Sequence, residues 1–284
     1  MKQFYDLMKK VPLLAGIVGV VLSIAFIKIV GHAYPQIGKE SMMIRIAMTF
    51  MSLLFMYLIS GPKIFENSSN ETGYALKKLL PFILYAAIMG GVSFVALCLQ
   101  KEFKADWPVV LIIGAVEMLF VGLYEELTYR ALVNDALLYQ FREKKGIFVV
   151  IAVVSCLVFG YIHVMSVDIS SPLAFAQAAM KIINCGLYGF SFLVIYWKTH
   201  NIWAGAVAHG TYDFCTAVLS NLFVGNESHG YVMTDAIESE GTVVNMGAVG
   251  LGYYLIEFVF MIILTIVMIR VLKTIDFKKI REEW

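Results

Sequence analysis

Apolar residues run through this chain in long blocks, broken at short polar joints. A block of about 18 residues or more can cross the roughly 30 Å hydrocarbon core of a bilayer as a helix. By that length the pattern predicts about eight spans, approximately over 11–31, 43–61, 79–100, 108–128, 147–166, 172–197, 201–224 and 246–272. The joint from His32 to Met42 carries Pro35 and Gly38, and the joint from Pro62 to Lys78 carries Asn67-Ser68-Ser69-Asn70, both compositions of solvated loops. The expected architecture is all-α, a polytopic transmembrane helical bundle.

Composition agrees with this pattern. The 284 residues are 60% hydrophobic and 15% charged, with a mean hydropathy of +0.78, which excludes an ordinary soluble domain. A net charge of +1 implies no nucleic-acid partner. Cys98, Cys156, Cys185 and Cys215 lie inside apolar runs at irregular spacing, so neither a disulfide framework nor a CxxC metal site is expected. The first apolar run follows Lys2, Lys9 and Lys10 and is too long for a signal peptide, so it reads as the first transmembrane helix.

Orientation comes from lysine and arginine. With a cytoplasmic N-terminus, inside segments hold about fourteen of these residues and outside segments about four. The segment from Gly225 to Asn245 has Glu227, Asp235, Glu238 and Glu240 and neither Lys nor Arg, as an outer loop should. With an even number of spans both termini are expected in the cytoplasm, and the location is a cell (plasma) membrane crossed several times.

Against this apolar background, Tyr124-Glu125-Glu126-Leu127-Thr128-Tyr129-Arg130 places three charges in six residues. Each charge at membrane depth costs roughly 2.5–3.5 kcal/mol on insertion scales, so such groups pair, face a cavity or do chemistry. Glu126 and Arg130 are four apart and share a helix face, which predicts an ion pair. Glu125 is turned about 100° away, without an obvious partner, and is suited to take a proton from water and pass it on. A purely structural polar knot between helices explains the same three residues equally well.

Two further polar pairs have the same spacing. Phe159 and His163 share a face near the end of span five, setting an aromatic ring beside an imidazole. His209 and Asp213 share a face in span seven, where a carboxylate can fix the tautomer of the imidazole or both can ligate metal; a hydrogen bond stapling two helices is the alternative. Gly205 and Gly210 on that span permit close helix approach. Lys181, Asn184 and Glu257 are weaker candidates for the same cavity. Lys28, Arg45 and Arg270 are expected to snorkel to headgroups, and Trp107, Trp197 and Trp203 to sit in interfacial belts.

Taken in order, Glu-Glu-x-x-x-Arg at 125–130, Phe-x-x-x-His at 159–163 and His-x-x-x-Asp at 209–213 resemble the motifs of the CPBP family, the CAAX proteases and bacteriocin-processing (Abi) enzymes of membranes. The likeness covers about residues 107–224, with Ser155, Gly160 and the Trp203-Ala204 pair as flanking context. It implies an intramembrane endopeptidase that hydrolyses a peptide bond in a membrane-associated protein or a peptide precursor. By motif position Glu125 would activate water with help from His163, Glu126 and Arg130 would orient, and His209 and Asp213 would hold the oxyanion or position water. An older view of the family makes Glu125, Glu126, His163, His209 and Asp213 candidate ligands of a zinc-like metal, although no HExxH is present. No cofactor is firmly implied. Ala131 stands where glycine commonly follows the arginine, and Asp213 where some members have asparagine.

The expected organisation is an N-terminal set of transmembrane helices over 1–106, a peptidase core over 107–224, and an outer loop, last helix and basic cytoplasmic tail over 225–284. The expected partners are a protein or peptide substrate and membrane lipids. Two other functions use the same residues: a non-catalytic scaffold or bacteriocin self-immunity protein, and a transporter or proton relay.

Overall fold

The structure, a computed structural model, describes residues 10–33, 37–61, 71–226, 236–239 and 242–283. Pro35, the Asn67–Asn70 stretch and most of the acidic 225–245 segment lie outside the described residues. The apolar runs fold as helices because a segment without water must satisfy its own backbone N–H and C=O groups. In order they are α1 (Pro12–Ala33), α2 (Lys39–Ser60), α3 (Thr72–Gln100), α4 (Trp107–Glu126), α5 (Val133–Phe141), α6 (Ile147–Ile162), α7 (Pro172–Thr199), α8 (Ile202–Asp213), the single turn α9 (Leu219–Asn221), α10 (Met246–Leu272) and α11 (Phe277–Glu283). A small antiparallel hairpin, β1 (Ala236–Ser239) with β2 (Thr242–Asn245), precedes α10.

Among the described residues six helical stretches are long and apolar enough to cross a membrane, against about eight spans expected: α1, α2, α3, the run from Trp107 to Phe141, α7 and α10. Helix α6 is shorter, with 16 residues, and α8 has 12 before its geometry changes. Capping fixes where α7 and α8 begin. Ser171 Oγ accepts from the Ala174 amide at 3.1 Å, with Pro172 in the first turn, and Asn201 Oδ1 accepts from the Ala204 amide at 3.0 Å.

The outward faces carry Phe50, Val92, Ile112, Val149 and Ile263, whereas Glu125, Glu126, Arg130, Asn134, Asp135, Asn184 and Glu257 are buried. Polar groups inside and apolar side chains outside are the distribution a lipid solvent demands. Two interruptions sit within this frame. Leu127–Leu132 and Phe214–Val218 are π-helical, so each of α4 and α8 widens immediately after Glu126 and Asp213, respectively. Such turns free backbone groups and concentrate at functional sites; here Ser155 donates to the Tyr129 carbonyl at 2.5 Å.

Three expectations change. The fourth run does not stop near residue 128, because Asn134 and Asp135 find partners inside the protein: Trp197 Nε1 donates to Asn134 Oδ1 at 2.7 Å, and Ser60 donates to Asp135. Trp197 is therefore buried rather than in an interfacial belt, while Trp107 and Trp203 remain exposed. Arg45 does not simply snorkel outward; its guanidinium lies 5.7 Å from the centre of the Tyr124 ring.

Candidate active site

The site forms where α4 and α8 cross antiparallel at close range. Two glycines make the crossing possible. A Cβ on Gly122 would strike the Ala206 carbonyl, and one on Gly210 would lie 2.7 Å from the Met118 carbonyl oxygen. Gly205 differs: its missing Cβ would sit 3.6 Å from Glu126 Oε2, an ordinary contact, so it faces the carboxylate rather than permitting the crossing. Because helix side chains lean toward their own N-terminus, Glu126 reaches back along α4 to His209 on α8.

At the centre is a line of charged groups. Arg130 Nε lies 3.3 Å from Glu126 Oε2, and Glu126 Oε1 lies 2.9 Å from His209 Nδ1. Arg130 is fully buried, with its guanidinium carbon 3.6 Å from the centre of the Phe159 ring. Paired with an arginine, Glu126 is a carboxylate and can only accept, so His209 Nδ1 carries the proton of that hydrogen bond. This fixes the ring with Nε2 facing two more carboxylates, Glu125 Oε2 at 3.5 Å and Asp213 Oδ2 at 3.7 Å. The His209 ring also stacks on Phe192 of α7, with centroids 5.6 Å apart.

Glu125 has one firm hydrogen bond, from the Tyr124 hydroxyl to Oε1 at 3.0 Å. Its Oε2 is buried and has no hydrogen-bond partner among the described residues. The Phe159 ring packs edge-to-face against both imidazoles, 4.6 Å from that of His163 and 5.8 Å from that of His209. His163 Nδ1 is 2.8 Å from the Phe159 carbonyl. A carbonyl cannot donate, so Nδ1 is protonated and neutral His163 has its lone pair on Nε2. His163 lies within electrostatic reach of Glu125.

The structure thus gathers Glu125, Glu126, Arg130, His209 and Asp213 directly, and His163 through Phe159. Asn184 and Glu257 bond to each other instead. Lys181 lies 6.0 Å from the Tyr254 ring and within electrostatic reach of His163 and Asp213. Among the described residues no group of three or more His, Cys, Asp or Glu is arranged to hold a metal ion. One nitrogen of each histidine and both oxygens of Glu126 already face other protein groups. Sequence reading missed Tyr124 as the partner of Glu125, Phe192 as the platform under His209, and Gly189, whose missing Cβ leaves room for Arg130. Only the Tyr124-Glu125 adjacency was visible locally.

Residues 105–215 match the family model described as type II CAAX prenyl endopeptidase Rce1-like. The central region is Rce1-like. No curated relative and no solved structure matches the chain. The Rce1-like region contains all seven residues from Glu125 to Asp213 that carry the CPBP motifs. With six apolar helices of spanning length among the described residues, the chain has the make-up of a multi-pass membrane protein.

Proposed function

We propose that this protein is an intramembrane endopeptidase in which Glu125 activates the attacking water. The observation that carries the reading is the buried Glu125 Oε2, which has no hydrogen-bond partner among the described residues and lies 3.5 Å from His209 Nε2. A buried carboxylate oxygen left unsatisfied is costly, and a water or a substrate group satisfies it.

In the proposed reaction Glu125 Oε2 takes a proton from that water as its oxygen bonds to the scissile carbonyl carbon. The carbonyl electron pair moves onto oxygen. His209, held through Nδ1 by Glu126 and protonated also at Nε2, donates from Nε2 to this oxyanion. Before the proton transfer the carboxylates of Glu125 and Asp213 both flank the ring, at 3.5 and 3.7 Å from Nε2. Collapse re-forms the carbonyl and breaks the C–N bond, and the proton held by Glu125 passes to the leaving amine. Arg130 holds Glu126 in place through the 3.3 Å ion pair and so keeps His209 oriented. His163, oriented through Nδ1 by the Phe159 carbonyl, assists Glu125.

Residues 107–224 are the peptidase core in this reading, framed by the helices of 1–106 and 225–284, with both termini cytoplasmic in the plasma membrane. The substrate class is a membrane-associated protein or peptide precursor, with a CAAX-type C-terminus as the first to try given the Rce1-like match. The test uses full-length protein in detergent and an internally quenched peptide ending in a prenylated CAAX sequence, alongside the peptidomes of cells expressing wild type or Glu125→Gln. Cleavage by wild type that Glu125→Gln loses, with both proteins equally folded, is expected. Equal turnover by the two would remove Glu125 as the base, and two identical peptidomes with no peptide cleavage would favour a scaffold.

A further inference from the structure

Glu257 lies in α10, beyond the Rce1-like region, and takes no part in the chemistry above. It is fully buried, yet its carboxylate is saturated with donors. The hydroxyls of Tyr188 and Tyr212 both donate to Oε1, the second at 2.6 Å, and Asn184 Nδ2 donates to Oε2 at 2.7 Å. The other Asn184 amide hydrogen goes to the Tyr254 carbonyl at 3.0 Å. One acidic side chain on α10 therefore ties down α7 and α8 together.

The attachment on α8 falls at a sensitive place. Tyr212 precedes Asp213 and follows His209 by three residues, so its tether acts on the turn that presents both groups to Glu125. Directly after Asp213 the helix becomes π-helical. Regular α-helical bonding is lost there, and the rotation of this turn needs a constraint from outside. The Tyr212 ring is itself confined, stacked on Phe82 at 5.2 Å and packed against Tyr188 at 5.3 Å. That confinement aims the hydroxyl at Glu257.

We infer that Glu257 is a positioning residue for His209 and Asp213, acting through the Tyr212 hydroxyl. The assignment rests on the peptidase reading for its consequence. A charge-assisted hydrogen bond is roughly twice as strong as a neutral one, so Glu257→Gln weakens the tether while keeping its shape. Tyr212→Phe removes it while keeping the ring.

The quenched prenylated CAAX peptide, turned over by full-length protein, distinguishes the outcomes. Each single variant is expected to lower kcat about tenfold, as small displacements of catalytic groups do, with KM within about twofold of wild type. The double variant should be no slower than either single one, because both remove the same tether. A purely structural staple would instead lower the melting temperature and leave kcat per folded molecule unchanged; that result, or losses that multiply in the double variant, overturns the assignment. If Glu257→Gln does not fold, Tyr212→Phe alone decides. Cleavage lost in Glu125→Gln but unchanged in Glu257→Gln and Tyr212→Phe rejects the positioning role and leaves the peptidase reading intact. Absence of cleavage by wild type rejects both.

Discussion

Gly210→Ala separates the two helices that form the site by a calculable distance. A Cβ there would lie 2.7 Å from the Met118 carbonyl oxygen and 3.1 Å from the Leu119 Cα, both backbone atoms that cannot swing aside. The near limit of an ordinary C–H···O contact is about 3.3 Å, so α8 must move away from α4 by about 0.6 Å, the difference between 3.3 and 2.7. His209 is the adjacent residue and moves with it. Its 2.9 Å contact with Glu126 then lengthens to about 3.5 Å, beyond the usual hydrogen-bond range. Overpacking of this kind costs about 1–3 kcal/mol of stability, and misplacing a catalytic group by about an ångström can cost on the order of a hundredfold in rate. The assay is kcat on the quenched peptide with the melting temperature of the same preparation. Gly205→Ala is the control, since its Cβ meets Glu126 only at 3.6 Å; near-wild-type kcat is expected, with stability equal or higher by about 0.5–1 kcal/mol. Wild-type kcat and melting temperature in Gly210→Ala would refute the argument that a tight α4–α8 crossing sets the site.

The remaining predictions concern the polar line and metal. Arg130→Met leaves Glu126 buried and uncompensated, which should cost about 3–5 kcal/mol and abolish turnover; adding Glu126→Leu should restore thermal stability but not activity. If the single variant melts like wild type, the pair is not what holds this region. Tyr124→Phe removes the donor to Glu125 Oε1 and should cost about 1–3 kcal/mol, with kcat lowered several-fold and KM little changed; an unaltered kcat would show that Tyr124 does not orient Glu125. Dialysis against a chelator followed by elemental analysis should leave cleavage intact. Activity lost on chelation and restored by stoichiometric zinc would replace the water-activating glutamate with a metal mechanism.

What could be read locally was periodic. Helix formation followed from apolar length, and the pairing of Glu126 with Arg130 and the edge-to-face packing of Phe159 against His163 followed from a spacing of four. Contacts between helices had no such signature. Glu126 and His209 are 83 residues apart, and nothing local marks one as the partner of the other. At about 1.5 Å per residue, His163 stands about 24 Å along its helix from Ile147 and His209 about 12 Å from Asn201. Both rings pack on Phe159, so they share a level. The reason lies in Asn134 and Asp135, which carry the helix on to Phe141, about 22 Å beyond Glu126 at 1.5 Å per residue. Helix α6 then returns over about 24 Å from Ile147 to reach His163. The turn between α5 and α6 therefore lies farther from the site than the start of α8 does.

Buried charge alone did not separate chemistry from structure, since a polar knot would place glutamates at the same depth. Donor count does. Glu117 receives Ser41 and the Gly38 amide, Asp135 receives Ser60 and Asn134, and Glu257 receives two tyrosines and an asparagine. Glu126 has an arginine on one oxygen and an imidazole on the other. Each of these carboxylates ties helices or orients a neighbour; Glu117, Asp135 and Glu257 accept hydrogen bonds on both oxygens, and Glu126 accepts one on Oε1 and ion-pairs through Oε2. Among the described carboxylates, Glu125 alone is buried with an oxygen lacking a hydrogen bond. A fold stabilised by satisfied polar contacts gains nothing from leaving that oxygen bare beside an oriented imidazole, because the unmade bond carries a desolvation penalty of about 1–3 kcal/mol or more for a charged group. The penalty is recovered only when something enters, and in a peptidase the entrant is water on its way to a carbonyl carbon.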